Sequence, residues 1–250
     1  MKIAISGKGG VGKTTIMALL AHQLKKSFTE VLVIDADPSP HMAQTLGIEH
    51  PERVTAIADM KELLRERSGF SEGSPFYNIN PEIDDLPERF MLEKDGIKLM
   101  VLGAIQTGAK GCACAENTVL KRLLTKLLLK KDQAVLLDME AGVEHLGRGT
   151  IAGVDHLLVV VIPSKSSVRT ALKIKKLATD VRIPKVSFVG NGILGPEDEA
   201  FIAELLNEPL IASFPDSPAI RGAERRGTPI FALVETFADP LRQIVAVLKA

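Results

Sequence analysis

Short apolar runs rich in Val, Ile, Leu and Ala alternate along the chain with stretches in which apolar residues recur at helical spacing. The first kind reads as strand and the second as helix. The pattern predicts strands at Lys2–Ser6, Val31–Asp35, Lys98–Leu102, Ala134–Asp138, Leu157–Ile162, Lys185–Val189 and Leu210–Ser213. It predicts helices at Lys13–Ser27, Ser39–Leu46, Asn117–Lys130, Val168–Asp180, Glu197–Leu206 and Pro240–Leu248. On the first helix Ile16, Leu19, Leu20 and Leu24 share a face; near Lys121–Lys131, Leu120, Leu123, Leu124, Leu127 and Leu128 do the same beneath a basic, solvated face. Most strands are apolar throughout, and they alternate with helices. Both features predict an α/β fold: a mostly parallel sheet with helices on both faces. Ligands of such sheets bind in the loops at the carboxyl ends of the strands. Residues 49–94 are less regular, with Gly69, Gly73, Pro75, Pro81 and Pro87 among many charges. They read as a helix from about Ala56 to Arg67 followed by surface loop. Nothing in the pattern marks a linker or a repeat, so a single domain over residues 1–250 is expected.

Composition adds exclusions. Hydrophobic residues make up 46% and charged residues 25% of the 250, ordinary for a soluble globular protein. Lys+Arg and Asp+Glu are both 31, so no global field draws the chain to nucleic acid or to an anionic membrane. Met1–Ser6 leads straight into a glycine loop, without a cleavage site, and no apolar stretch approaches the ~18–20 residues that span a bilayer. A cytoplasmic protein with no nucleic-acid partner and no stable membrane association is expected. The two cysteines, Cys112 and Cys114, are separated by one residue. A disulfide between them would close too small a loop to constrain much chain entropy, and reducing compartments disfavour one.

The first loop carries the strongest chemistry. Gly7-Lys8-Gly9-Gly10-Val11-Gly12-Lys13-Thr14 fits G-x-x-x-x-G-K-[ST], and with Thr15 it joins a strand to a helix, the context the motif requires. Glycines let the loop curl so that backbone N–H groups face phosphates, and the helix N-terminus adds partial positive charge. Lys13 is expected on the β/γ-phosphates and the Thr14 hydroxyl on Mg²⁺. Val135-Leu136-Leu137-Asp138 is an apolar strand ending in a carboxylate, which fits an aspartate that holds Mg²⁺ through water; Gly142, four residues on, would let a backbone N–H approach the γ-phosphate.

Lys8, directly after the first glycine, makes KGGVGKTT resemble the MinD/ParA/nitrogenase-iron-protein class of deviant P-loop ATPases. The resemblance implies that Lys8 acts across a homodimer closed by ATP. It implies further that Asp37, in Val33-Ile34-Asp35-Ala36-Asp37-Pro38, positions the attacking water; Asp35 either helps with Mg²⁺ or caps the next helix. Asn191 matches the adenine-side asparagine of the class, although Gly192 replaces the basic residue that often follows it. Phe214, Pro215 and Asp216 match the segment that gives backbone contacts to adenine. Pro218–Pro229 resembles the class's C-terminal pattern. No Asn-Lys-x-Asp follows the strand at Lys185–Val189, which favours ATP over GTP.

Cys112 and Cys114 fall between the strand Lys98–Leu102 and the helix Asn117–Lys130. Thiolates suit Ni²⁺, Zn²⁺, Cu⁺ or Fe–S clusters, and a helix N-terminus lowers thiol pKa. Two thiolates are half of a tetrahedral site; a twofold dimer supplies the other half. The plain alternative is two small buried residues, against which the surrounding Gly, Ala and Glu read as loop. Gly111-Cys-Ala-Cys-Ala-Glu-Asn117, with Asp138-Met-Glu-Ala-Gly-Val-Glu-His-Leu-Gly-Arg-Gly-Thr150, resembles the CooC family of nickel-insertion ATPases, with Glu140 where a small residue is the norm. This resemblance covers essentially the whole chain. It implies a homodimer that binds Ni or Zn through Cys112 and Cys114 of both subunits and couples ATP hydrolysis to metal delivery into carbon monoxide dehydrogenase or a related nickel enzyme. His145 reads as a third ligand, a partner contact or a packed histidine. Two other functions stay open: an Fe–S electron-transfer ATPase, against which the close cysteine spacing argues, and a MinD/ParA-like positioning ATPase, against which the short apolar C-terminal helix argues.

Overall fold

The apolar runs assemble into one eight-stranded sheet in the computed structural model, which describes residues 1–37, 39–70, 76–104, 112–129, 133–139 and 153–250, with the backbone alone for 112–114 and 129. The strands are β1 (Lys2–Gly7), β2 (Val31–Ala36), β3 (Leu92–Lys94), β4 (Ile97–Val101), β5 (Ala134–Met139), β6 (His156–Val161), β7 (Lys185–Ile193) and β8 (Leu210–Pro215). Their spatial order is β3-β4-β2-β5-β1-β6-β7-β8. All neighbours pair parallel except β3, which runs antiparallel to β4. The fold is therefore the α/β P-loop type expected from the alternation of elements.

The helices are α1 (Lys13–Lys25), α2 (Met42–Leu46), α3 (Lys61–Ser68), α4 (Leu86–Phe90), α5 (Cys112–Leu129), α6 (Lys165–Asp180), α7 (Pro196–Leu206), α8 (Pro218–Arg226) and α9 (Ala238–Lys249). Alternate strand residues feed two cores. Ile3, Ile5, Val31 and Val33 pack with α1, α2 and α9 on one face. Ala4, Leu32 and Ile34 pack with α5, α6 and α7 on the other. Leu120, Leu123, Leu124, Leu127 and Leu128 of α5 are all buried, each contributing roughly 1.5–3 kcal/mol. The basic helix is thus a packing helix. Helix α1 is apolar on more than one side: Met17, Ala18 and Ala21 are buried along with the expected face.

Three boundaries differ from the expectations. The helix expected over Ala56–Arg67 is a 3₁₀ turn, Ile57–Asp59, followed by α3. The expected loop before Lys98 contains α4 and a β3–β4 hairpin. Its turn is Asp95-Gly96, both at positive φ (51° and 71°), an Asp-Gly pair that serves the tightest hairpin turns. Helix α5 begins at Cys112, five residues before the expected Asn117, because Cys-Ala-Cys-Ala-Glu contains no glycine or proline to delay it. Where a loop was expected around the cysteines the chain is helical; Ala115 and Glu116 are buried, and Glu116 pairs with Lys61 at 3.1 Å and Arg65 at 3.7 Å.

The chain lays β2 and β4 to one side of β1, returns to insert β5 between β1 and β2, then crosses to β6 on the other side. Strand order reverses there, and the carboxyl ends of β1, β2 and β5 open a crevice where such sheets bind ligands. Among the described residues no helix is long and apolar enough to cross a membrane.

Candidate nucleotide site

The loop from Gly7 to Gly12 turns out of β1 with conformations that a side chain resists. At Gly7 φ is +154°, and a Cβ would lie 2.6 Å from the Val160 carbonyl oxygen on β6. At Gly12 φ is +89°, and a Cβ would run into the Asn191 amide. Gly9 and Gly10, in contrast, face open space. Without a Cβ, such positions leave the backbone open to close approach. Gly7→Ala is expected to destabilise the fold by on the order of 2 kcal/mol, read as a lower urea midpoint at unchanged m-value. An unchanged midpoint would mean that β1 and β6 accommodate the methyl group.

Gly12 leads into α1 without any side-chain cap, and no acidic residue occupies the first turn. The helix opens instead with buried Lys13, 7% exposed, whose Nζ donates to the Lys8 carbonyl at 3.4 Å. A lysine at the positive end of an uncapped helix is electrostatically unfavourable by itself. It becomes favourable once an anion meets the free N–H groups and the ammonium together.

Beside this anion cradle lie two buried carboxylates. Asp35 and Asp138 are register neighbours on β2 and β5. Thr14 Oγ1 donates to Asp138 Oδ2 at 2.6 Å. Asp138 Oδ1 is buried and has no hydrogen-bond partner among the described residues. Burial pushes the Asp138 carboxyl up to about 7; the Thr14 hydrogen bond and Lys13 oppose the rise, and Asp35 adds to it. A hydroxyl and an orphaned carboxylate oxygen at the start of α1 suit a hard divalent cation such as Mg²⁺. Asp35 differs. Its Oδ2 accepts from Met42 N–H, the first residue of α2, at 3.0 Å, and its Oδ1 accepts from Asp37 N–H at 3.2 Å. Burial pushes it up to about 6 against those two donors. Of its two readings, the structure supplies the capping one. Asp37 is only half buried and accepts from Ser39 N–H at 2.8 Å, at the mouth of the crevice.

A cleft of about 790 Å³ runs from the loop to α8. Asn191 lies under the loop, its Nδ2 donating to the Val11 carbonyl at 2.7 Å. Phe214 is fully buried and packs against Phe237, so its side chain belongs to the core. Pro215 and Asp216 are exposed; Asp216 pairs with Arg221, and its N–H donates to the Ile193 carbonyl at 3.0 Å. Exposed Lys8 reaches the first turn of α6, where Nζ donates to Ser166 Oγ at 2.9 Å.

Residues 2–230 match the family described as the CobQ/CobB/MinD/ParA nucleotide binding domain. The chain belongs to this family. It is 40% identical, over 99% of its own length and 96% of the relative's, to the carbon monoxide dehydrogenase accessory protein CooC of Rhodospirillum rubrum. It is also 40% identical, over 84% of its length and 81% of the relative's, to an uncharacterized ATP-binding protein of Methanocaldococcus jannaschii. The septum site-determining protein MinD of Pyrococcus horikoshii, solved with Mg-ADP, superposes with a TM-score of 0.66 at 20% identity, over 99% of this chain and 98% of that one. As a member of the MinD/ParA family the chain is a P-loop ATPase, Mg-dependent, with ATP and ADP as its nucleotides.

Several positions singled out in the sequence fall outside the described residues: Pro38 and Gly142 of the MinD/ParA pattern, and Glu140, Glu144 and His145 of the stretch that resembles the CooC family. Cys112 and Cys114 are the first and third residues of α5, with their side chains outside the description. Among the described residues no group of three or more His, Cys, Asp or Glu is placed to hold a metal. Sequence reading missed two contacts that the family pattern does not advertise. One is Glu116 to α3. The other is Glu224 on α8, whose Oε1 accepts from Thr15 Oγ1 at 3.0 Å. Both join residues distant in sequence.

Proposed function

We propose that the chain is a cytoplasmic, single-domain metallochaperone ATPase that works as a homodimer. It carries nickel (zinc being the other metal its thiolates accept) at a site shared by Cys112 and Cys114 of both subunits, and it delivers the metal to carbon monoxide dehydrogenase or a related nickel enzyme. The observation that carries the reading is the Cys112-Ala113-Cys114 sequence on the opening turn of α5. It stands in a chain that aligns end to end with a carbon monoxide dehydrogenase accessory protein. Two thiolates per chain complete a tetrahedral set only in a pair of chains.

In this reading Gly7, Lys8, Gly9, Gly10, Val11, Gly12, Lys13, Thr14 and Thr15 wrap the phosphates, with Gly142 closing on the γ-phosphate. Asn191, Phe214, Pro215 and Asp216 border the base. Thr14 and Asp138 hold Mg²⁺, which, when bound, neutralises charge on the β- and γ-phosphate oxygens. Lys13 stabilises the negative charge that builds on the transferred phosphoryl group. Asp37, half buried at the crevice mouth, orients water and accepts its proton as the oxygen attacks the γ-phosphorus; ADP leaves with the bridging oxygen. Lys8 exchanges Ser166 for the partner's nucleotide as the dimer closes. Hydrolysis relaxes that closure and, with it, the shared thiolate site.

Lys13→Ala tests the separation of parts. It should reduce ATP turnover by about 10²-fold or more while leaving nickel bound by the nucleotide-free protein within about twofold of wild type. Equal loss of both activities would mean that the two sites are not distinct.

A further inference from the structure

Helix α6 carries five basic residues and a single carboxylate, Asp180, at its end. Val168, Ala171, Ile174 and Ala178 are buried and seat it on the sheet. On its outer side Lys165, Arg169, Lys173 and Lys176 are exposed. They follow one another at helical spacing, which lines them up on one face over about 16 Å. Leu172, 39% exposed, lies within the row. Lys175, to one side, pairs with Glu208. The four cations of the row form no ion pair among the described residues. Like charges four residues apart repel and weaken a helix, so stability alone disfavours the row. Elsewhere the chain pairs surface cations between elements, as in Lys26 with Glu235, Lys98 with Glu30 and Lys126 with Asp84.

We propose that this face of α6 is a docking surface for a protein partner that presents an acidic helix. Carboxylates of the partner meet Lys165, Arg169, Lys173 and Lys176, and an apolar side chain covers Leu172. Charge complementarity sets the sign of the partner and its orientation. The chain as a whole has no net charge, with Lys+Arg and Asp+Glu both 31, so the attraction is local to this face. Nucleic acid fits the row less well: four cations neutralise few phosphates, and a sugar-phosphate backbone makes no use of Leu172. A bilayer also fits less well. A helix that lies in a membrane surface needs a broad apolar face, and α6 buries its apolar face in the core. The row starts one residue from Ser166, which accepts from Lys8. None of the four cations, nor Leu172, lines the nucleotide cleft, so a partner seated on α6 leaves the nucleotide site open.

The probe is a synthetic helical peptide with glutamates at i, i+4 spacing around one leucine, fluorescently labelled and titrated with the protein at low salt. Three variants are compared with wild type: Arg169→Glu with Lys173→Glu, Leu172→Ser, and, as a control of equal charge change on another helix, Lys121→Glu with Arg122→Glu. Arg169, Leu172 and Lys173 are exposed, so their variants should fold and keep wild-type ATP turnover, checked with circular dichroism. The α6 reversal is expected to weaken peptide binding about tenfold or more. Leu172→Ser should weaken it several-fold without changing its salt dependence, and the control should stay within about twofold of wild type. No binding of the peptide by wild type, or equal loss in the control pair, would overturn the proposal. So would tighter binding, through the same residues, of a double-stranded DNA oligomer or of vesicles containing phosphatidylserine. Light scattering with Mg-ATP covers the remaining occupant: a mass that falls to one chain in the α6 reversal alone would give the face to a second copy of this chain and overturn the proposal as well.

Discussion

Asp138→Asn is expected to lower ATP turnover by about 10²-fold or more and, at pH 8, to raise the melting temperature of the nucleotide-free protein. The two effects have one cause. Asp138 is 1% exposed, its Oδ1 lacks a partner among the described residues, and Asp35 is its register neighbour. Its folded-state pKa of about 7 lies above the ordinary 3.8, so the folded chain holds the proton more tightly than the unfolded chain. The stability this adds is fully present below about pH 4 and is lost as pH rises to about 7. At pH 8 the wild-type protein carries a buried charge in the metal-free state. Asparagine removes the charge and still accepts from Thr14. The gain is a few kcal/mol at most, at ~1.4 kcal/mol per pKa unit, or several degrees at ~2–4 °C per kcal/mol. At pH 5 the difference should shrink, and Mg-ATP should stabilise wild type without stabilising the variant. Thermal melts at pH 5 and 8, with and without Mg-ATP, read all of this. A variant less stable than wild type at pH 8 would mean that Asp138 is a structural carboxylate, not a cation site kept under strain.

Cys112→Ser with Cys114→Ser is expected to remove stoichiometric nickel binding altogether while leaving Mg-ATP binding within about twofold. Serine is close to cysteine in size and keeps a hydroxyl, but it is a hard, weakly acidic donor, where thiolate is soft and ionises near neutrality at a helix N-terminus. Thiolate-to-nickel charge-transfer absorption in the near ultraviolet should appear in the wild-type titration and be absent from that of the variant. Stoichiometric nickel retained by the variant without the band would place the metal on other ligands. Loss of ATP binding along with the metal would mean that the substitutions disturb the fold at α5. That helix is anchored elsewhere, by its buried leucines and by Glu116 to Lys61 and Arg65, so the nucleotide cleft should not register the change.

The parallel sheet was legible because Val, Ile and Leu fill whole strands buried on both faces, a pattern that leaves little choice of architecture. The phosphate loop was legible because Gly7–Thr14 spells out its own backbone requirements. Helix α5 starts earlier than the sequence suggests: the Gly, Ala and Glu around the cysteines read as loop, whereas Ala115 and Glu116 are buried and Glu116 pairs with Lys61 and Arg65 of α3 in a helix that begins at Cys112. The α4–β3 region was missed because prolines and charges hid an Asp95-Gly96 hairpin turn. Asn191 and Phe214 were assigned by pattern to the base. Asn191 props the Val11 carbonyl, and the Phe214 ring lies in the core against Phe237, although both residues border the cleft. Glu224 was not singled out, because a contact between residues 15 and 224 leaves no trace in local spacing.

The central claim, a metal shared between two chains, is tested most directly by anaerobic nickel titration of the reduced protein with light scattering on the same samples. The account predicts saturation at one nickel per two chains, with the bound species having twice the mass of one 26.9 kDa chain. Nickel bound by a species of single-chain mass, or no stoichiometric nickel at all, would contradict it.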